Sequence, residues 1–219
     1  MTNFPNSPHL LKGGLALVDA DSGAIRRVIS LQYNPDTLTR TLLSRQGGGE
    51  SVDRSEALRL KGPPVETVRL EAEIDATDQL EFPDQNPTAA QAGIHPQLAA
   101  LETMLYPTSA DLVANNALAA SGALEIIPMQ APLALFVWSQ SRIAPVRITE
   151  FSITEEAFDT ALNPIRARVT LGLRVLSVDD LGFAHRGGSL FMSYLRNKES
   201  LAGKSGAVAL SALGLRGLP

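Results

Sequence analysis

The side chains able to do chemistry in this sequence are few and widely spaced. It holds three histidines, His9, His95 and His185, and no cysteine. A zinc site gathers several nitrogen or sulfur ligands at close spacing, and no histidine here has a second ligand at helical or hairpin spacing, so no metal is expected. The lack of cysteine removes thiolate nucleophiles, iron–sulfur clusters and disulfides from consideration. Glu155 and Glu156 are adjacent; on a strand they point to opposite faces and do not form an acid and base pair on one substrate. Ala202, Gly203, Lys204 and Ser205 look like the end of a phosphate-binding loop, but that motif needs a glycine where Lys198 stands and a strand where the pattern reads helix. No Gly-x-Ser-x-Gly elbow occurs. The reading is of a protein without an enzymatic site and without a cofactor.

Two other constellations stand out. Arg166, Arg168 and Arg174 share one face of an alternating segment, where they either meet water or pair with carboxylates such as Glu71, Glu73 and Asp75 of a neighbouring subunit or an adjacent strand. Phe191, Tyr194 and Leu195 form part of an apolar stripe at helical spacing that needs cover from its own domain or from a partner. Both sets are candidate interface residues. The glycine pair Gly187 and Gly188 before the stripe reads as a hinge, which favours the partner.

The elements that position them follow from periodicity. Leu15 to Val18, a turn at Asp19 to Gly23, and the alternation of Ile29, Leu31 and Tyr33 with Ser30 and Gln32 read as a hairpin, stopped at Asn34 and Pro35. Ser44 to Arg54, with Gly47, Gly48 and Gly49, reads as a mobile loop. From Glu66 to Asp75 apolar Val68, Leu70, Ala72 and Ile74 alternate with charged residues, the pattern of a strand with one wet face. Thr77 to His95 reads as a long connection. Pro96 then opens a short helix carrying Leu98, Leu101 and Leu105 and stopped at Pro107. Thr108 to Gly122 suits one more weak helix.

Leu133 to Trp138 is apolar on both faces, as in a strand covered on two sides. Between Val146 and Phe158 the apolar phase flips, which places a bulge near Thr149 and Glu150. Ile165 to Val175 alternates without interruption. Ser189 reads as the N-cap of a final helix to about Ala202. The sum is an α+β fold with a mainly antiparallel sandwich or barrel, one short helix and a C-terminal helical tail, divided into residues 1–186 and 187–219.

Composition narrows the function classes. In 219 residues there are 19 Lys plus Arg against 23 Asp plus Glu, a net charge of −4, and no basic run longer than Arg26 and Arg27. A nucleic-acid partner, which needs a concentrated positive field, is not expected. Met1 to Gly14 does not read as a signal peptide, and no apolar stretch reaches the ~20 residues of a membrane helix. Cytoplasmic residence without membrane insertion is the expectation. The aromatic content is 5%, low for a sugar-stacking surface.

Taken in order, several segments resemble the tube-protein family of contractile injection systems, the phage-tail-like devices that drive an inner tube and spike through an envelope. They are Leu31-Gln32-Tyr33-Asn34-Pro35, the stretch from Leu58 to Gly62 ahead of the Val68 strand, Pro96 to Leu101 with Leu105 to Pro107, Pro132 to Trp138, Pro145 to Ile148, Ile153 to Phe158, and Asn163 to Ala167. The resemblance spans roughly Lys12 to Ser177. It implies a phage-tail-tube type of domain that closes into a sixfold homo-oligomeric ring and serves as a non-enzymatic adaptor at an end of the inner tube. Its implied partners are the inner tube protein and the spike hub or baseplate, or a cap protein at the distal end, with assembly in the cytoplasm before the particle acts. Many relatives in that family carry a C-terminal peptidoglycan-binding LysM module, for which residues 187–219 are too few and too simple. A stand-alone β-sandwich binding module, and more remotely a hydrolase, are the competing readings.

Overall fold

The computed structural model describes residues 11–45, 59–121, 131–206 and 212. His9, the run Gly47 to Gly49, Leu58 and most of the segment after Gly206 lie outside the described residues.

Seven strands form a single sheet. β1 (Gly14–Val18), β2 (Ile25–Ser30), β3 (Leu38–Leu43), β4 (Val65–Asp75), β5 (Leu133–Ser139), β6 (Arg142–Phe158) and β7 (Pro164–Val175) pair in the order β2-β1-β5-β6-β7-β4-β3, every neighbour antiparallel. The α+β expectation holds, with one sheet rather than two stacked ones. Its centre is the local meander β5-β6-β7. The β1-β2 hairpin attaches to one side of that meander through β5, and the β3-β4 hairpin to the other through β7.

Strand patterning and burial agree closely at the centre. In β7, Ala167, Val169, Leu171, Leu173 and Val175 are all buried in the main core, together with Val68, Leu70, Ala72 and Ile74 of β4. In β6 the register shifts between Ile148 and Glu150, so that Ile148 and Phe151 both face inward opposite Leu173 and Leu171. The bulge thus lets a seventeen-residue strand keep its apolar residues on one side. β5 is apolar on both faces because it serves two clusters. Ala134 and Phe136 join the main core, while Leu133 and Leu135 join Val18, Leu181 and Leu190 in a second one.

The ends of the sheet depart from the sequence reading. β2 begins and stops earlier than the alternation through Tyr33 implies, because the residues beyond Ser30 are drawn elsewhere. Gln32 donates from Nε2 to the Asp75 carbonyl (2.6 Å) and accepts from the Asp75 N–H (2.9 Å), so its side-chain amide occupies the open edge of β4 where β3 has already ended. Asn34 accepts from the Gly13 N–H (2.9 Å) and donates to the Leu11 carbonyl (2.8 Å). The sheet therefore curls, bringing the end of β2 against the end of β4. β3, to which the sequence pattern assigns no element, pairs along its length with β4 from Leu38 opposite Leu70 to Leu43 opposite Val65.

Six helices complete the described residues, where the sequence reading expects one short helix, one more weak helix over Thr108 to Gly122 and a helical tail. α1 (Thr77–Leu80) and α2 (Pro87–Ala92) occupy the stretch expected to be a bare connection. α3 (His95–Glu102) places Leu98 and Leu101 in the core beside Ile94, and ends before Leu105. α4 (Ser109–Ala120) is capped by the Thr108 hydroxyl, which accepts from the Asp111 N–H, and buries no side chain. α5 (Val178–Leu181) opens with a capping box in which the Ser177 hydroxyl accepts from the Asp179 N–H and Asp180 accepts from the Ser177 N–H.

α6 (Arg186–Gly203) starts before the glycine pair. His185, not Ser189, is its N-cap, its Nδ1 accepting from the Gly187 N–H at 3.0 Å. Gly187 and Gly188 are buried within the first turn. A Cβ on Gly187 would come within 2.3 Å of Leu181 Cδ1, and one on Gly188 within 2.0 Å of the Gly182 carbonyl oxygen. The pair is there because α5 and the start of α6 touch, and does not act as a hinge. α6 then packs along β6.

Candidate assembly interface

Each interface candidate from the sequence has a definite place. Arg166, Arg168 and Arg174 do stand on the face of β7 opposite the core, but carboxylates of the same chain meet them. Arg166 bonds Asp75 at 2.8 Å, with Glu73 at 3.9 Å. Arg168 bonds Glu156 at 2.8 Å, with Glu71 at 3.9 Å. Arg174 bonds Asp180 of α5 at 2.6 Å. Arg69 of β4 adds a contact to Glu150 of β6 at 2.7 Å. The arginine face is thus a cross-strand ladder over β4, β7 and β6, the adjacent-strand alternative of the sequence reading.

Phe191 and Tyr194 are buried in the main core and Leu195 is partly buried against it. Their stripe is covered by the chain's own sheet, which corrects the expectation that a partner takes it up. The covering is reinforced by a charge. Glu66 lies on the core-facing side of β4, only 3% exposed. Its Oε1 accepts from Arg40 Nε (2.9 Å) and from the Tyr194 hydroxyl (2.8 Å), and its Oε2 from Lys198 Nζ (2.6 Å). Lys198 also sits 4.2 Å from the centroid of the Tyr194 ring. Burial works to raise the Glu66 carboxyl; the hydrogen bonds from Lys198 and Tyr194 and the charges of Lys198 and Arg40 outweigh it and hold the group below its ordinary range. Burial and the bond to Glu66 push the Tyr194 phenol well above its usual range. Sequence reasoning passed over this cluster, although Glu66 occupies an even position among the apolar residues of its strand, which is the signal that could have exposed it.

The remaining chemical candidates are dispersed. His95 begins α3 and His185 caps α6. Gly203 closes α6 and Lys204 follows it, so this lysine and serine end a helix where a phosphate loop would open one. Among the described residues no group of three or more His, Cys, Asp or Glu could hold a metal ion, and no helix is long and apolar enough to cross a membrane.

Among the described residues two sheet edges are left open, β2 and β3 each pairing on one side only. β2 exposes Ile25 (68%) and Val28 (64%), and β3 exposes Leu42 (48%) and Leu43 (62%). Unpaired backbone flanked by apolar side chains is a template for pairing with another chain. The sequence reading did not single out these four residues. Alternation of Leu38 and Leu42 with Thr37, Thr39 and Thr41 was the available sign of β3.

No family model matches this chain, and no curated protein sequence matches it.

Proposed function

We propose that this protein is a non-enzymatic structural subunit of a contractile injection system, a ring-forming adaptor at an end of the inner tube that joins the tube to the spike hub and baseplate. The observation that carries the reading is the pair of unlike open edges, β2 and β3, at opposite ends of one antiparallel sheet and both bearing exposed apolar residues. Two different edges that fit each other give a heterologous contact, and such contacts close into a ring when the rotation allows it. The ordered likeness of the Lys12 to Ser177 segments to tube proteins supports this assembly and a sixfold symmetry for it. The pairing of the arginine face within the chain supports the edges, over that face, as the place where neighbours would meet.

The test is assembly of the full chain measured by light scattering and electron microscopy. A ring is expected, and Val28→Lys on one edge or Leu43→Lys on the other should each return it to monomer with an unchanged circular-dichroism spectrum. A wild-type chain that stays monomeric and joins no particle would return the stand-alone binding module to first place. In particles from the native host, label on this protein at the baseplate tip supports the spike-side adaptor; label at the far end supports a cap-side adaptor instead.

A further inference from the structure

A second surface carries an inference independent of ring formation. Where the C-terminal half of α6 passes the tip of the β5-β6 hairpin, a pocket of about 190 Å³ opens between the helix and the sheet. Three cations line it: Arg40 from β3, Arg142 from the start of β6, and Lys198 from α6. The nearby carboxylate, Glu66, is buried and already accepts from Arg40, Tyr194 and Lys198. Among the described residues, one negative charge among three positive ones leaves the pocket a surplus of two. Arg142 is half-buried, and among the described residues no carboxylate lies within ion-pair distance of it.

The walls are not uniformly polar. Trp138 and Tyr194 contribute rings to the same pocket, and Ser141 contributes a hydroxyl. Trp138 is fixed there by stacking on Phe136, with ring centroids 5.7 Å apart. Arg142 presents a planar fork of donors suited to a carboxylate. The aromatic surface beside it suits the carbon chain behind that carboxylate, a combination that a bare inorganic ion would leave half used.

We propose that the pocket between Arg142, Lys198, Arg40 and Trp138 is a binding site for an organic carboxylate, the head group held by the cations and the aliphatic part lying against Trp138. The same chemistry is offered by a small free acid and by an acidic side chain or C-terminus of another protein.

Trp138 is the single tryptophan of the chain, so its emission reports on the site directly. Glutarate, the peptide Ala-Ala-Glu and, as a control, sodium chloride at matched ionic strength are titrated into the full-length protein at pH 7. A saturable change in emission with glutarate or the peptide, absent with chloride, is expected. Arg142→Gln should weaken it about tenfold, the effect of removing one charged hydrogen-bonding partner, whereas Arg196→Gln, on the exposed side of α6, should leave it unchanged. Tighter binding of the peptide assigns the site to a protein chain, and equal or tighter binding of glutarate to a free acid. No saturable change with either ligand, or a change that survives Arg142→Gln undiminished, overturns the proposal. Unfolding midpoints of both variants, expected to equal the wild type, separate a lost site from a lost fold.

Discussion

Glu66 shows how much of this structure depends on a single carboxylate. It fastens its strand to a helix more than a hundred positions later in the chain through Tyr194 and Lys198, and to the neighbouring strand β3 through Arg40. Removing one partner of a buried charge network leaves the others desolvated and unmatched. Because Arg40 and Lys198 each keep about a third of their side chains in water, the cost is moderated, and Glu66→Gln is expected to lose about 2 kcal/mol of unfolding free energy. Tyr194→Phe gives up one hydrogen bond and should lose about 1 kcal/mol. Denaturant titration checks the order, and a smaller loss in the glutamine variant than in the phenylalanine variant would refute it. The pH dependence follows from the lowered carboxyl. A group whose folded pKa lies below its unfolded value stabilises the protein above the unfolded pKa and loses that contribution as pH falls toward the folded one. Wild-type stability should therefore decline from about pH 5 downward, and Glu66→Gln should lack that share of the decline. Identical acid profiles would contradict the role.

At the level of elements, the glycines of α6 provide the sharpest contrast. Gly188→Ala forces a methyl group toward the Gly182 carbonyl at a distance no real contact reaches, so α5 and α6 must part, at an expected loss of about 2 kcal/mol or more. Gly203→Ala, at the far end of the same helix, meets nothing within 4 Å and should be neutral or stabilising by up to about 1 kcal/mol. Thermal unfolding of the two variants decides it; equal shifts would restore the hinge reading. The glycine pair was misread because a Gly-Gly step in sequence has the same appearance whether it grants freedom or permits close approach. Only the opposing Leu181 and Gly182 distinguish the two. By contrast, β7 and the β6 bulge were legible, since a strand with one buried face must alternate and must flip phase wherever a residue is added. α5 was missed although Ser177 and Asp180 stand at capping-box spacing, because four residues give no periodicity to read. α6 was found, but its cover was not: an apolar stripe states that something lies over it, never what.

Across the outer face of the sheet, charge is balanced within the chain itself. The outer ladder of Arg69, Arg166 and Arg168 with Glu71, Glu73, Asp75, Glu150 and Glu156 runs across three strands, and Arg174 extends it to Asp180 of α5. Reversing one member, Arg168→Glu, sets a fourth carboxylate beside Glu71, Glu73 and Glu156. With these groups largely in water the expected loss is about 1 kcal/mol, and added salt should reduce it. Unfolding midpoints at low and high ionic strength test this. A variant as stable as wild type but unable to assemble would make the ladder an intersubunit surface after all.

The topology also fixes an order of events during synthesis. β1 pairs with β5, and β4 with β7, so the strands made first leave the ribosome long before the strands they need have been translated. Until the β5-β6-β7 meander emerges, the two early hairpins have only each other's company and water for their apolar faces. Closure over so long a loop is slow compared with pairing of neighbours. Completion of the last strands, rather than of the first, is therefore the step at which this chain becomes a folded domain, and a chaperone that shields the N-terminal half would have its longest task here.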